Sequence, residues 1–228
     1  MTVMGRIIAV EGIDGSGKNT QTDKLLNAFS LSGVGASKIS FPQYGNTFFG
    51  GEVANYLNGE FGSIEQIAPK LSAMLYAGDR FECREEIINK SSDDSVLICD
   101  RYVYSNVAHQ IAKVTGEKRE ELRCWIERLE FDVYKLPRPD LTIFLDVPPT
   151  VSSDLVLKKD VRSYTAKKKD LHEENDSYLV KVYNVFKELS VSEQDWVAIS
   201  CFVDGKLLDE CEIFSLIKKE LAMRGFAI

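Results

Sequence analysis

The chain has 228 residues, of which 44% are hydrophobic and 28% are charged, and its net charge is −7. This balance is typical of a folded globular protein, and the acidic charge argues against general binding to nucleic acid. No apolar run reaches the roughly 18–20 residues that cross a bilayer, and residues 1–5 lack the pattern of a secretion signal. The five cysteines are scattered, without a Cys-x-x-Cys pair. We therefore expect a cytoplasmic protein with reduced thiols and with neither a membrane nor a nucleic-acid partner.

The N-terminal region contains an apolar run at residues 7–10, a glycine-rich turn and then an amphipathic segment. This order predicts a buried strand, a loop and a helix. The turn fits the phosphate-binding loop, in which Gly is followed by four residues and then Gly-Lys. Backbone N–H groups and the helix N-terminus bind phosphate in such loops, and Lys18 can reach the outer phosphates of a nucleoside triphosphate. The predicted phosphate-binding residues are Gly12, Ile13, Asp14, Gly15, Ser16, Gly17, Lys18, Asn19 and Thr20.

One position of the loop departs from the motif, because the residue after the lysine normally carries a hydroxyl that binds Mg²⁺. That residue is Asn19, whose amide oxygen can still ligate a hard cation or hold one of its waters. Thr20 comes one residue late and is expected to point elsewhere. We therefore predict that Asn19 is a weak ligand in a magnesium site at this loop.

Four further strands are predicted at about residues 37–41, 96–99, 141–145 and 196–200. Segments with helical spacing separate them. Strands that alternate with helices predict a parallel sheet with helices on both faces. The expected fold is therefore α/β, with five parallel strands, in a single domain that spans residues 1–228.

The helical segments also predict which side chains face the core. One long helix is expected over residues 64–89, with Leu71 and Phe81 among its inward residues. A later helix carries Leu129 and Val133 on its predicted buried face. The closing helix contains Ile213, Leu216, Ile217 and Leu221 at helical spacing.

Charged residues follow the third predicted strand, at the sheet edge where parallel sheets bind their ligands. Asp100 is placed to hold the water shell of Mg²⁺, and Arg101 offers a planar fork to phosphate oxygens. A structural salt bridge at the strand end is the alternative interpretation. A second feature is a cluster of basic side chains, which is either a solvated surface run or a mobile phosphate clamp. Its members are Lys158, Lys159, Arg162, Lys167, Lys168 and Lys169.

With these features in view, nearly the whole chain resembles the thymidylate kinases, within the nucleoside monophosphate kinases. The resemblance rests on residues 11–18, Phe41-Pro42, Asp79-Arg80, Asp100-Arg101-Tyr102 with Ser105 and Gln110, Leu136-Pro137 with Pro139-Asp140, and residues 170–173. It implies a P-loop nucleoside-kinase fold that transfers the γ-phosphoryl group of ATP to thymidine monophosphate (dTMP). The products would be dTDP and ADP, with ATP as co-substrate and Mg²⁺ as cofactor. The resemblance also implies a homodimer.

The resemblance assigns an acceptor site as well. By analogy, Arg101 grips the acceptor phosphate, Arg80 and Asn106 contact the thymine edge, and Tyr76 packs against the base. His109 departs from the family, which usually has Tyr or Phe shielding the sugar edge, so we expect weaker discrimination against ribose. The implied substrate-binding residues are Asp14, Phe41, Tyr44, Tyr76, Arg80, Arg101, Ser105, Asn106, His109 and Gln110.

The basic cluster then resembles a mobile lid at about residues 158–173. Some thymidylate kinases carry an arginine inside the phosphate loop, and this loop has none. Arg162 is therefore expected to meet the charge of the transition state, with Lys167 as second candidate. The implied catalytic residues are Lys18, Arg101, Arg162, Asp14, Asp100 and Glu173, and the implied metal ligands are Asn19, Asp100, Asp14 and Glu173.

Two other functions remain open from the sequence. A kinase for another nucleoside or nucleoside monophosphate would share most of these residues. A nucleotide-binding regulator that has lost catalysis is suggested by Asn19, but the retained Lys18, Asp100 and Arg101 argue against it.

Overall fold

The computed structural model describes residues 6–63, 66–92, 95–157 and 176–228. Strands and helices alternate along the chain in the order β1 Arg6–Glu11, α1 Lys18–Leu31, β2 Ala36–Ser40, α2 Phe48–Leu57, α3 Pro69–Glu82, α4 Arg84–Lys90, β3 Val96–Asp100, α5 Val103–Ile111, α6 Lys118–Glu127, a π-helical segment Arg128–Val133, β4 Leu141–Asp146, α7 Pro149–Leu157, α8 Asp176–Ser192, β5 Trp196–Ser200, β6 Phe202–Val203, β7 Lys206–Leu207 and α9 Glu210–Met223. No helix among the described residues is long and apolar enough to cross a membrane.

The main sheet confirms the predicted α/β fold, with five parallel strands in the order β2-β3-β1-β4-β5. β1 is central, and Val10 pairs with Asp100 on one neighbour while Glu11 pairs with Phe144 on the other. The loop after β1 and the turn after β3 therefore leave the same edge of the sheet side by side. This register brings the phosphate-binding motif next to Asp100 and Arg101.

Both faces of the sheet are buried, as a parallel sheet between helices requires. Successive residues of β1 alternate between the two sides, so Ile7 and Ala9 join one hydrophobic cluster while Ile8 and Val10 join the other. Residues of α5, α6 and α8 contribute to the first cluster, and residues of α1 and α9 contribute to the second. The rigid sheet edge that results can hold loop residues in fixed positions.

The prediction of one long helix over residues 64–89 is wrong. Pro69 begins α3, as suits a residue without an N–H at the first helical position, and the helix is interrupted at Cys83. The side chains expected inside also differ: Leu71 is 60% exposed and Phe81 48%, whereas Asp79 and Arg80 are buried. The inward face of α3 is small and polar because it lines the site described below, so apolar spacing alone misplaces the helix.

The inward position predicted for Val133 is also wrong, since its side chain is 61% exposed. After α6, the chain continues through a π-helical segment in which the Tyr134 N–H donates to the carbonyl of Leu129, five residues earlier. A π-turn holds more residues than an α-turn, so the inward side shifts along the sequence. Glu130 and Phe131 are buried there instead.

The C-terminal region contains a short hairpin, β6–β7, that the sequence reasoning missed. Asp204 and Gly205 both have positive φ between its strands, which is the signature of an Asp-Gly hairpin turn and could have been recognised. α9 then begins with a capping box between Asp209 and Glu212. Of its four predicted inward residues, Leu216 is exposed and the others are buried.

Candidate active site

The phosphate-binding loop has the backbone conformation for which its glycines are needed. Gly12 has a φ of 151° and Gly17 a φ of 86°, values that side chains rarely allow. A Cβ at Gly12 would also lie 2.7 Å from Ser16 Oγ. Gly17 directly precedes α1, so the loop ends at the positive end of that helix. The arrangement is that of an anion-binding site, as the motif predicts.

Lys18 lies inside this loop rather than in solvent. Its Nζ donates to the carbonyl oxygens of Gly12 at 3.0 Å and Ile13 at 2.8 Å. Burial, and next the positive charge of Arg101, lower the pKa of this lysine to about 7. The charges of Asp14 and Asp100 act in the opposite direction. The charged and neutral forms of Lys18 are therefore comparably populated near pH 7, and a nearby anion would favour the charged form.

The turn after β3 holds Arg101 in a left-handed conformation, with a φ of 66°. This conformation is uncommon for a residue with a side chain and must be stabilised by its surroundings. Glu11, fully buried at the end of β1, provides that support: Oε1 accepts from the N–H groups of Tyr102 at 2.8 Å and Ser105 at 3.1 Å. Its Oε2 accepts from Ser105 Oγ at 2.5 Å.

This role of Glu11 was not predicted from the sequence, although the residue directly precedes the phosphate-binding motif. A carboxylate at the end of an otherwise apolar strand is the signal that could have singled it out. Burial raises the pKa of Glu11, while the hydrogen bond from Ser105 and the charge of Arg101 oppose that shift.

The guanidinium of Arg101 faces the loop. Nη1 donates to the Gly12 carbonyl and to Ser105 Oγ, each at 3.1 Å, and Nη2 donates to Asp14 Oδ1 at 2.5 Å. Lys18 and Arg101 thus flank the same loop carbonyl, with Asp14 beside them. Two positive groups converge on the sheet edge where phosphate is expected.

A cavity opens beside Arg101 at this edge of the sheet. Nine of the ten residues implied as substrate-binding line it. The lining residues are Asp14, Phe41, Pro42, Tyr44, Leu57, Tyr76, Arg80, Arg101, Ser105, Asn106 and His109. The tenth, Gln110, is buried beside Asn106, where its Nε2 lies 3.4 Å from Asn106 Oδ1, and it does not line the cavity.

A second group of polar side chains that line the cavity is held by a buried carboxylate, Glu130. Arg80 on α3 donates through Nε at 2.5 Å and Nη2 at 2.6 Å to the two carboxylate oxygens of Glu130. Asn106 Nδ2 donates to Glu130 Oε1 at 2.8 Å and to the carbonyl of Ala73 at 3.0 Å. Sequence reasoning missed Glu130, because the π-helical segment that turns it inward was not recognised.

His109 also lines the cavity. Tyr178 on α8 donates its hydroxyl to the carbonyl of His109 at 2.8 Å and lies 3.2 Å from His109 Nδ1. Burial, with the nearby charge of Arg101, lowers the pKa of His109 to about 3. The imidazole is therefore neutral at physiological pH.

Asn19 is exposed, and its hydrogen bonds lead away from the loop. Its Nδ2 donates to Asp23 at 3.1 Å, and its Oδ1 accepts from Lys38 Nζ at 2.8 Å. A metal ion at this amide oxygen would have to replace Lys38, and the role of Asn19 stays a prediction. Thr20 is half-buried. Within the described ranges, no group of three His, Cys, Asp or Glu side chains could hold a metal ion.

The predicted lid at 158–173, with Arg162, Lys167 and Glu173, lies outside the described residues. Its predicted roles therefore remain predictions.

These features define a P-loop kinase of nucleotides: a parallel sheet, a phosphate-binding loop after its central strand, and an adjoining cavity. Comparison with known proteins narrows this class. The family model for thymidylate kinase matches residues 10–201, and the chain belongs to that family. Sequence reasoning from the quoted motifs is confirmed on this point.

Individual similar proteins are consistent with this family. A thymidylate kinase of Mycobacterium tuberculosis is 29% identical over 204 residues, which are 88% of this chain and 94% of the relative. A probable thymidylate kinase of Pyrococcus abyssi is 31% identical over 219 residues, 95% of this chain and 98% of the relative. The fold is similar to that of a thymidylate kinase from Candida albicans, with a TM-score of 0.71 and 22% identity over 97% of this chain and 92% of the other.

Proposed function

We infer that the protein is a phosphotransferase that moves the γ-phosphoryl group of ATP to dTMP and releases dTDP and ADP. The observation that carries this inference is that two unlike polar groups line the same cavity. Arg101 is hydrogen-bonded to the phosphate-binding loop, whereas Arg80 and Asn106 are both held by Glu130. A nucleoside monophosphate likewise presents two unlike groups, a phosphate and a base, joined by a sugar.

The chemistry follows from position and charge rather than from covalent catalysis. The loop amides and Lys18 would hold the ATP phosphates, and Arg101 would hold the acceptor phosphate in line with them. Because both cations flank the Gly12 carbonyl, the two nucleotides would meet at that point. Fixed positive groups there would stabilise the negative charge that spreads over the transferred group.

We propose Mg²⁺ as the accompanying ion. It is typically held by one or two carboxylates together with substrate phosphates. Asp14 and Asp100 fit that requirement, since both carboxylates lie close enough to Lys18 to influence its pKa. A bound Mg²⁺ would neutralise phosphate charge. Asn19 and Glu173 remain proposed further ligands.

We propose that residues 158–173 act as a lid that brings Arg162 to the phosphates. Helix α7, which precedes this segment, is joined to the loop, because Ser152 Oγ donates to the carbonyl of Asp14. If Arg162 acts only during transfer, Arg162→Ala should lower kcat sharply and leave dTMP binding nearly unchanged. Single-turnover rates and calorimetry separate the two effects. Wild-type rates in this variant would move the role to Lys167 or another residue.

The substrate assignment is tested by a coupled assay that follows ADP release from the purified protein with ATP and Mg²⁺. Each nucleoside monophosphate, and thymidine itself, is supplied in turn. The highest kcat/KM is expected for dTMP. A higher value for another acceptor would instead identify a kinase of that nucleotide, and no release with any acceptor would favour a nucleotide-binding regulator.

We also propose that the protein is a homodimer. The outward side of α3 carries Leu71, Met74 and Phe81, with Phe48 and Val133 exposed on neighbouring elements. Exposed apolar groups of this extent are common at interfaces between subunits. Light scattering should give twice the mass of the chain for the wild type and half that value for Leu71→Glu. Leu31→Glu, at an exposed position on α1, is the matched control and should remain dimeric.

Two further proposals concern organisation and location. A single domain over residues 1–228 is supported by the one five-stranded sheet and by the contact of α9 with α1. A cytoplasmic location is supported by the cysteines, all five of which are free thiols.

A further inference from the structure

The part of the cavity that Asn106 lines contains a chain of hydrogen bonds that fixes how this residue faces a ligand. Asn106 lines the cavity, and its amide group could in principle present either an oxygen or an NH₂. Both hydrogens of Nδ2 are used, by Glu130 Oε1 at 2.8 Å and by the Ala73 carbonyl at 3.0 Å. No hydrogen on Nδ2 is left for a ligand. Any hydrogen bond from this side chain to a bound base must therefore be accepted by Oδ1.

The Oδ1 side of the Asn106 amide is held through Gln110, which is itself oriented by the positive charge of Lys113. Lys113 Nζ, which can only donate, binds Gln110 Oε1 at 2.7 Å. Ser72 Oγ binds the same oxygen at 2.7 Å. These contacts direct Gln110 Nε2 toward Asn106 Oδ1, at 3.4 Å. An acceptor-only group at one end and a donor-only group at the other thus select the same orientation of the Asn106 amide.

The ion pair at the Glu130 end has no obvious value for stability alone. Arg80 is 2% exposed and Glu130 is fully buried. Removing two such charges from water can cost as much free energy as their attraction returns. The π-helical segment that turns Glu130 inward is a local irregularity of a kind often found at functional sites. A role in positioning the two polar groups at the cavity accounts for both features.

We propose that Glu130 and Lys113 are positioning residues that hold Asn106 Oδ1 toward the base, and so select pyrimidines with an N3–H and a 4-oxo group. This rests on the proposed function, since it assigns the base to this part of the cavity. Asn106 Oδ1 accepts from N3–H, and the Arg80 guanidinium donates to O4. Cytosine presents the reverse pattern, an N3 acceptor and an N4 donor. Its N3 would face the acceptor Asn106 Oδ1, and its N4 amino group would face the donors of Arg80.

The sharpest probe is a pair of acceptors, dTMP and 5-methyl-deoxycytidine monophosphate. They share the methyl group, sugar and phosphate and differ only at the edge that the site reads. Sites built to hydrogen-bond a substrate group can discriminate by about 10⁴-fold against an analogue that lacks it. We expect a preference of that order for dTMP in the wild type, measured as kcat/KM and as calorimetric affinity without ATP.

Glu130→Gln is the first variant. Glu130 Oε1 accepts from both Arg80 Nη2 and Asn106 Nδ2, and Oε2 accepts from Arg80 Nε, so the NH₂ of the glutamine would face at least one donor in either orientation. The contacts that hold Arg80 and Asn106 toward the base would therefore be weakened. The ratio of kcat/KM for the two acceptors should fall at least about tenfold, which is the effect of one hydrogen-bond preference. The change should lie mainly in KM. In an Asn106→Ala background, Glu130→Gln should alter the ratio less than in the wild type, because only its effect through Arg80 remains, whereas a general loss of structure would lower both rates in either background.

Lys113→Met is the second variant, because it loosens the amide from the other side and leaves the buried ion pair intact. It serves alone if Glu130→Gln does not fold, and it too should reduce the dTMP preference. An unchanged ratio in Lys113→Met and in any folded Glu130→Gln protein would overturn the inference. Equal wild-type affinity for both acceptors, with dTMP still phosphorylated, would overturn it as well while the proposed function stands. Failure of the wild type to phosphorylate dTMP would instead reject the proposed function itself.

Discussion

Lys18 offers a quantitative test of how the loop binds ATP. Burial beside Arg101 lowers the pKa of this lysine to about 7, from an ordinary value of 10.5. Triphosphate oxygens placed next to the ammonium would favour its charged form and raise the pKa again. We therefore predict that Lys18 takes up a proton when ATP binds at a pH above about 7.

The size of the effect follows from the pKa. At pH 8, one unit above it, about nine in ten free protein molecules would hold a neutral Lys18. If bound phosphate restores the ordinary pKa, close to one proton is taken up per ATP at that pH. The association constant should then fall by up to about tenfold for each pH unit above 7. Below pH 7 the lysine is already charged, so affinity should change little through this group.

Calorimetric titrations of ATP at pH 8, in buffers with different heats of ionisation, measure the proton uptake directly. Lys18→Arg is the matched control, because a guanidinium stays charged throughout this range. Its proton uptake should be near zero. A wild-type protein that takes up no proton at pH 8 and binds ATP equally well at pH 7 and pH 9 would refute the reasoning.

Four further perturbations have defined outcomes. Arg101→Ala should weaken dTMP binding in calorimetry and slow single-turnover transfer by about 10²–10³-fold, the effect of losing one preorganised donor, and Arg101→Lys should recover only part of it. Glu11→Ala removes the acceptor of the buried Tyr102 N–H and of the Ser105 hydroxyl and should lower the free energy of unfolding in urea by about 2–4 kcal/mol. Asn19→Thr should reduce the Mg²⁺ concentration for half-maximal rate, and an equal requirement in Asn19→Ala and wild type would show that the amide holds no metal. His109→Tyr should raise the kcat/KM ratio of dTMP over ribothymidine monophosphate, and an unchanged ratio would reject a role in sensing the sugar.

Much of the fold follows from local patterns in the sequence. The three inner strands, β1, β3 and β4, are mostly apolar because both of their faces are buried. The edge strands β2 and β5 are only partly buried, and β2 is also more polar. The loop from Gly12 to Lys18 can also be predicted from the sequence, because phosphate binding through backbone N–H groups needs glycines at fixed spacing. The position of Asp100 and Arg101 next to this loop could be expected, because ligands bind at the carboxyl ends of parallel strands.

The features that sequence reasoning missed depend on contacts between distant elements. α3 buries Asp79 and Arg80 and exposes Leu71, the reverse of what hydrophobic spacing predicts, because its inner side lines a polar site. Glu130 faces inward through a π-helical segment that no simple periodicity reveals. Glu11 acts by supporting a strained turn ninety residues later in the chain, at Arg101, and only the register of β1 with β3 brings them together.

Phosphoryl transfer to dTMP, as opposed to nucleotide binding alone, can be observed in one reaction. The protein is mixed with ATP labelled on its γ-phosphate, Mg²⁺ and excess dTMP for a single turnover, and the products are separated by chromatography. We expect the label in dTDP, and we expect this transfer to be lost in Lys18→Ala. Label that stays in ATP, or that appears only as inorganic phosphate, would show that the site does not transfer to dTMP.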